Sequence, residues 1–193
     1  METPVEPLRG HWPEYMMEGA GLGLFMISAA VVTAAFEYPY SPLHDLVSDP
    51  TMRRILIGLA MGLTAIGLIY SPWGKRSGAH LNPAVTLTFF RLGKVKGGDA
   101  LWYVVAQFVG GTVGLWLAAQ ILGLAIEHPA VNYVVTVPGT DGAAIAFAAE
   151  AAISFGLMFV VLVVSNRPAL NRWTGVFAGV LVATYIAVEA PLS

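Results

Sequence analysis

The sequence predicts an all-α polytopic membrane protein, and three observations carry that prediction. Of the 193 residues, 56% are hydrophobic and only 11% are charged, with a mean hydropathy of +0.69. Soluble globular domains carry about a quarter charged residues, so this composition indicates a protein that resides in lipid. The apolar residues are also gathered into long stretches, and a shorter apolar stretch contains an Asn-Pro pair.

Five apolar stretches approach the roughly 20 residues that a helix needs to cross a bilayer. We place these spans at residues 15–36, 54–71, 100–126, 143–164 and 173–188. The polar first dozen residues lack the basic start and the apolar core of a signal peptide. Residues 1–13 are therefore predicted to form a cytoplasmic N-terminal tail.

The basic residues predict the orientation of the chain. With the N-terminus inside, eight of the ten Lys and Arg residues fall on the cytoplasmic side, and only Arg53 and Arg54 fall outside. Cytoplasmic loops carry an excess of Lys and Arg, so this distribution predicts a cytoplasmic N-terminus. We expect an integral protein of the plasma (inner) membrane.

Two of the predicted spans have similar sequences. The segment that starts at Glu18 (EGAGLGLFM) is similar to the one that starts at Glu150 (EAAISFGLMF). An odd number of spans between the copies makes them inverted repeats, a plan common among channels and transporters. We expect one membrane domain, 1–193, with a first repeat at 14–126 and an incomplete second repeat at 143–193.

Glycine pairs four residues apart occur on four of the predicted helices. These pairs are Gly19/Gly23, Gly58/Gly62, Gly110/Gly114 and Gly175/Gly179. This spacing puts both glycines on one helix face, where a second helix can approach closely. The pattern predicts tight packing between helices.

The apolar segment 79–90 is too short to cross a bilayer and is typical of a re-entrant segment. Asn82 is a good N-cap, and Pro83 is favoured at the first helical position. A half-helix that begins at Pro83 would point its free N–H groups and its positive dipole end at a permeating solute. The alternative is that Asn82 is an ordinary loop residue before a proline.

The sequence SGAHLNPAVT, followed by LTFF, resembles the first signature loop of the aquaporin and glycerol-facilitator family, the major intrinsic proteins. The resemblance runs from Glu14 to Ser193. It implies the family's hourglass arrangement of inverted repeats and a homotetramer with one pore per subunit. The family's second Asn-Pro-Ala loop, with its following Arg, does not occur in these residues, so we expect a chain truncated before that loop.

By this resemblance the signature loop lines the pore through His80, Asn82, Pro83 and Ala84. His80 would line the cytoplasmic vestibule and donate hydrogen bonds there. The alternative is that His80 only maintains the shape of the loop.

The resemblance also assigns residues on the spans. Glu18, Gln107 and Glu150 would accept or donate the hydrogen bonds that hold re-entrant loops in place. Ionisable residues inside spans are rare and usually face a partner in the protein interior. A proton-coupled transporter that uses Glu18 and Glu150 is the alternative reading of these residues.

Alignment with the family pattern places Met61 and Ile186 in the selectivity ring, with Tyr185 as the alternative to Ile186. An apolar ring of this kind favours small neutral solutes beside water. The alternative is that Met61 faces lipid or a neighbouring helix.

The function implied by the resemblance is a passive channel for water and small neutral solutes such as glycerol. A non-conducting membrane subunit that lacks half of the pore is the alternative. The sequence contains no cysteine and no phosphate-binding or catalytic motif, so we expect no catalytic residue, no metal site and no cofactor. Its net charge of −2 and the absence of a basic stretch argue against a nucleic-acid partner. The expected partners are the lipid bilayer and the permeating solute.

Overall fold

The computed structural model describes residues 5–140 and 142–189. The helices are α1 Val5–Glu37, α2 Pro42–Leu46, α3 Pro50–Tyr70, α4 Pro72–Ser77, α5 Pro83–Arg91, α6 Gly97–Leu122, α7 Leu124–Glu127, α8 Ala143–Ser165 and α9 Thr174–Glu189. Short 3₁₀ turns lie at Asn132–Val134 and Asn171–Trp173. Since no β-strand occurs in the described ranges, the all-α prediction is confirmed.

Four helical segments are long and apolar enough to cross a membrane. They are Gly10–Glu37, Pro50–Tyr70, Gly97–Leu122 and Ala143–Ser165, and they correspond to the first four predicted spans. The fifth predicted span, 173–188, corresponds to the helix α9, Thr174–Glu189, and its crossing of the membrane stays a prediction. The first four residues of the predicted tail and the last four residues of the chain lie outside the described residues.

Several predicted boundaries differ from the structure: the second span begins at Pro50 rather than at residue 54, and the third begins at Gly97 rather than at residue 100. The predicted tail is helical from Val5, and the helix is interrupted at His11, where φ is −122° and ψ is 16°. Pro13 explains this kink, because it has no N–H and its ring conflicts with the carbonyl four residues earlier. The third span ends at Leu122 rather than at residue 126, because Gly123 takes a φ of 53° and breaks the helix.

The chain divides into two compact units. The first comprises Met1–Ile27 and Gly67–Gln120, and the second comprises Ser28–Ile66 and Ile121–Ser193. The predicted re-entrant segment lies wholly within the first unit. The assignment of two sequence repeats stays a prediction.

Glycines let α1 and α6 approach closely within the first unit. A Cβ on Gly19 would lie 2.7 Å from the carbonyl oxygen of Ala106, and one on Gly23 would lie 2.8 Å from that of Gly110. A Cβ on Gly110 or Gly114 would in turn collide with the backbone of Gly19 or Gly23. The predicted close packing is therefore confirmed for these two pairs.

The second unit has a similar close approach between α3 and α9. A Cβ on Gly58 would collide with the carbonyl oxygen of Ala183, and one on Gly62 would lie 2.5 Å from that of Gly179. No larger side chain fits at Gly58 or Gly62 without separating the two helices. The predicted tight packing is confirmed here for Gly58, Gly62 and Gly179, while a contribution of Gly175 stays a prediction.

A buried arginine ties the α1–α3 connector to α3 in the second unit. Nε of Arg53 lies 3.2 Å from Oε2 of Glu37, and Nη1 donates to the carbonyls of Val47 at 3.1 Å and Ser48 at 3.2 Å. The sequence prediction treated Arg53 only as a marker of orientation. The structure shows that it also fixes the path of the connector.

Candidate functional site

The re-entrant half-helix is α5, which begins at Pro83 and ends at Arg91. Its nine residues span about 13 Å, less than half of a bilayer's hydrocarbon core. Oδ1 of Asn82 accepts a hydrogen bond from the backbone N–H of Ala84 at 2.7 Å. The prediction that Asn82 caps a half-helix starting at Pro83 is confirmed. Asn82 is exposed, and its Nδ2 donates to no other residue in the described ranges.

The loop that leads into α5 has a constrained backbone. Gly78, Ala79 and Leu81 have φ angles of 93°, 47° and 49°. A left-handed conformation costs a residue other than glycine roughly 1–2 kcal/mol, so surrounding contacts must hold this loop in place. Within the described residues, the carbonyl oxygens of 78–81 accept no backbone hydrogen bond.

Glu18 on α1 supplies contacts that hold the loop, and its side chain is fully buried. Its Oε1 accepts hydrogen bonds from Oγ of Ser77 at 2.7 Å and from the backbone N–H of His80 at 3.0 Å. Its Oε2 accepts from the backbone N–H of Leu81 at 2.7 Å and from Nε2 of Gln107 at 2.9 Å. Two backbone N–H groups for which lipid offers no acceptor are thereby satisfied.

Thr86 is a site residue that the sequence analysis missed. It is fully buried on α5, and its Oγ1 accepts a hydrogen bond from Nε2 of Gln107 at 3.0 Å. The same hydroxyl lies 3.1 Å from Nδ1 of His80 and 3.3 Å from the carbonyl oxygen of Asn82. Thr86 therefore links the half-helix to α6 and to the loop. A polar residue one turn after the N-cap, in an otherwise apolar segment, was the available signal.

The His80 ring is packed inside the first unit. It stacks on Phe89 with ring centroids 5.0 Å apart and lies 5.2 Å from the ring of Tyr103. The Tyr103 hydroxyl donates to the carbonyl of Ser77 at 2.6 Å. Burial lowers the pKa of His80, while the nearby carboxyl group of Glu18 opposes that shift. These ring contacts shape the loop, and a role of His80 toward the solute stays a prediction.

Three predicted site residues lie in the second unit. Met61 on α3 is 2% exposed, and Oγ of Ser28 donates to its Sδ at 3.8 Å, so its side chain contacts protein rather than lipid. Ile186 on α9 and Glu150 on α8 are half-buried. The ring assignment of Met61 and Ile186 and the loop-holding role of Glu150 stay predictions.

The first unit thus presents polar but uncharged groups around the start of α5. They are the Asn82 amide, the N-terminal N–H groups of the half-helix and the carbonyls of the preceding loop. Within the described ranges, no group of three or more His, Asp or Glu side chains is placed to hold a metal ion. Such an arrangement can exchange hydrogen bonds with a neutral solute.

Comparison with known proteins places the chain in a family. The family model described as "Major intrinsic protein" matches residues 10–193. This chain belongs to the major intrinsic protein family. Because it also has four helices of membrane-spanning length and composition, this major intrinsic protein is an integral membrane protein.

Several curated relatives carry informative names. The chain is 34% identical to a probable aquaporin NIP-type of Nicotiana alata over 71% of this chain and 49% of the relative. It is 38% identical to aquaporin NIP6-1 of Arabidopsis thaliana over 70% of this chain and 43% of the relative. It is 31% identical to glycerol uptake facilitator protein-like 6 of Lactiplantibacillus plantarum over 72% of this chain and 64% of the relative. This major intrinsic protein spans about half the length of the NIP-type relatives it matches.

Proposed function

We propose that this protein is a passive channel for water and small uncharged solutes such as glycerol. The observation that carries the proposal is the half-helix capped by Asn82, with its preceding loop held by the buried carboxyl group of Glu18. We further propose a homotetramer in the plasma membrane with a cytoplasmic N-terminus. The family membership and the names of the relatives support the channel reading.

The start of α5 suits a neutral solute. Oδ1 of Asn82 is engaged in the cap, so only the donor end of the amide is left for a passing molecule. The positive end of the half-helix dipole opposes a cation at the same place. The loop carbonyls supply acceptors, so a water or glycerol hydroxyl can replace the hydrogen bonds that it leaves in bulk water.

Selectivity would depend on Met61 and Ile186. Both are apolar and offer no strong hydrogen bond to a solute, so a ring that they line would discriminate by size and apolar contact. Shortening Met61 to alanine is expected to raise glycerol permeability more than water permeability. An unchanged ratio of the two permeabilities would show that Met61 does not line the selectivity ring.

The channel is tested by reconstituting the protein into liposomes and following volume changes by stopped-flow light scattering. An impermeant osmolyte gradient reports water permeability, and a glycerol gradient reports glycerol entry. We expect both rates to exceed those of protein-free liposomes. Rates equal to those of empty liposomes would overturn the proposal and favour the non-conducting subunit.

Variants connect the permeability to the half-helix. Asn82→Leu removes both the cap and the donor and is expected to abolish the added permeability. Asn171→Ala changes an exposed asparagine of the second unit and is expected to keep it. Equal permeability of the two variants at matched protein content would show that α5 does not line the pathway. A pH gradient that drives glycerol uptake would instead support the proton-coupled transporter.

A further inference from the structure

The outer surface of the first unit carries a groove that the proposed channel does not use. It runs between α1 and α6 and has a volume of 490 Å³. Glycines form its floor, and its lining includes Gly19, Gly23, Gly110 and Gly114. The lining is almost entirely apolar, so water has little to bind there.

The walls of the groove are exposed apolar side chains. Leu24 on α1 is 46% exposed, and Val109 and Val113 on α6 are 58% and 48% exposed. The lining runs from Tyr15 to Ile27 along α1, about 18 Å at the helical rise. One leaflet of hydrocarbon is about 15 Å thick, so the groove has the length of one acyl chain in one leaflet.

One end of the groove is bordered by a tryptophan and by basic residues. Trp73 of α4 lines it there and is 50% exposed, as is typical of a residue at the membrane interface. Exposed Lys75 and Arg76 follow Trp73 in the same short helix. Nε of Arg76 lies 2.9 Å from Oε1 of Glu14, which places the guanidinium beside the same end of α1.

Two described acidic side chains near this end, Glu14 and Asp99, are each engaged by a neighbouring group, although Oε2 of Glu14 is buried without a hydrogen-bond partner. Glu14 is paired with Arg76. Asp99 accepts hydrogen bonds from the hydroxyl of Tyr15 at 2.6 Å and from Nδ1 of His11 at 2.8 Å. Among the described side chains, those of Lys75 and Arg76 follow Trp73 directly and are exposed, the Arg76 side chain by 55%, so the Lys75 ammonium and the outer guanidinium donors of Arg76 can reach an anionic group.

We propose that this groove is a binding site for an anionic phospholipid. One acyl chain lies on the glycine floor between α1 and α6, and the phosphate is bound by Lys75 and Arg76. Basic residues at the membrane surface attract anionic headgroups by about fivefold in affinity for each Lys or Arg. The site does not depend on whether the protein conducts water.

The test uses the full chain in vesicles and the fluorescence of Trp73, isolated by subtracting the signal of Trp73→Phe. Phosphatidylglycerol with brominated acyl chains quenches a neighbouring tryptophan, and brominated phosphatidylcholine serves as the zwitterionic comparison. We expect half-maximal quenching at a mole fraction of phosphatidylglycerol at least about fivefold lower than that of phosphatidylcholine, since one basic residue alone would supply that factor.

Two variants separate the headgroup from the groove. Lys75→Gln combined with Arg76→Gln should make the two quenching curves coincide, whereas Arg91→Gln, outside the groove, should leave them apart. Ala20→Phe places a ring on the exposed groove wall and should weaken quenching by both lipids. Helicity by circular dichroism verifies that each variant is folded.

Three results would overturn the proposal. The first is equal half-maximal mole fractions for the two lipids with the unmodified protein. The second is unchanged quenching in the folded Ala20→Phe variant. The third is efficient disulfide cross-linking of Ala20→Cys between subunits, because a second copy would then occupy the groove.

Discussion

Replacing Glu18 by alanine removes the acceptor that holds the re-entrant loop. The substitution leaves four donors without their partner: Oγ of Ser77, the backbone N–H groups of His80 and Leu81, and Nε2 of Gln107. A buried donor without an acceptor costs about 1–3 kcal/mol. The lower limit for four donors gives a loss of ~4 kcal/mol in the free energy of unfolding.

Replacing Glu18 by glutamine should remove only part of this free energy of unfolding. Gln at position 18 keeps one acceptor oxygen but turns an N–H₂ group toward the two donors on the other side. We expect Glu18→Gln to lose about half as much, ~2 kcal/mol. Glu14→Gln is the matched control, one turn earlier on α1, because its partner Arg76 is exposed and such ion pairs contribute about 1 kcal/mol or less.

Thermal unfolding in detergent, followed by circular dichroism, measures the effect. For a chain of this size, 1 kcal/mol corresponds to about 2–4 °C in Tm. Glu18→Ala should lower Tm by about 8–16 °C, Glu18→Gln by about 4–8 °C, and Glu14→Gln by no more than about 4 °C. A Tm for Glu18→Ala that matches the Glu14→Gln control would refute the hydrogen-bond account of this loop.

Three further predictions concern the same unit. Gly110→Ala should destabilise the protein by about 1–3 kcal/mol, because its Cβ collides with the backbone of Gly19. A Cβ at Gly111 would meet only flexible side chains, those of Leu22 at 3.4 Å and Met26 at 3.8 Å, so Gly111→Ala should be neutral or stabilising. Paired Tm measurements compare the two variants. Asn82→Ala should cost about 0.5–2 kcal/mol through loss of the N-cap, measured by the same unfolding assay, and an unchanged Tm would contradict the cap. The pKa of His80 is lowered in the folded state. The unfolded state therefore binds more protons than the folded state below about pH 6.5, and the free energy of unfolding falls as the pH is lowered. His80→Gln should make Tm less dependent on pH below about pH 6.5.

Features that depend on local spacing could be predicted from the sequence. The half-helix follows from Asn82 and Pro83, because capping and the missing N–H act within one turn. The position of Glu18 inside an apolar span indicated a buried partner, and the structure supplies one in the loop and Gln107. Each of these signals is contained in a few neighbouring residues.

Features that depend on tertiary contacts could not be predicted in this way. The role of Thr86 appears only once α5 lies beside α6, since Gln107 is 21 residues away in sequence. In the sequence, Arg53 indicated only on which side of the membrane its loop lies. Its ion pair with Glu37 forms because the connector folds back and brings the two residues together. The left-handed angles at Ala79 and Leu81 also have no local cause, because neither residue favours that conformation.

The glycine crossing and the polar cluster depend on each other. Gly19 follows Glu18 directly on α1, and Gly110 lies one turn after Gln107 on α6. Because the backbones of Gly19 and Gly110 touch, the two polar side chains can meet at 2.9 Å. Packed helices are normally 8–10 Å apart, and a larger residue at the crossing would separate them. The small residues at the crossing therefore set the distance at which Glu18 can hold the loop and Gln107 together, so substitutions at Gly110 should weaken the loop as well as the helix packing.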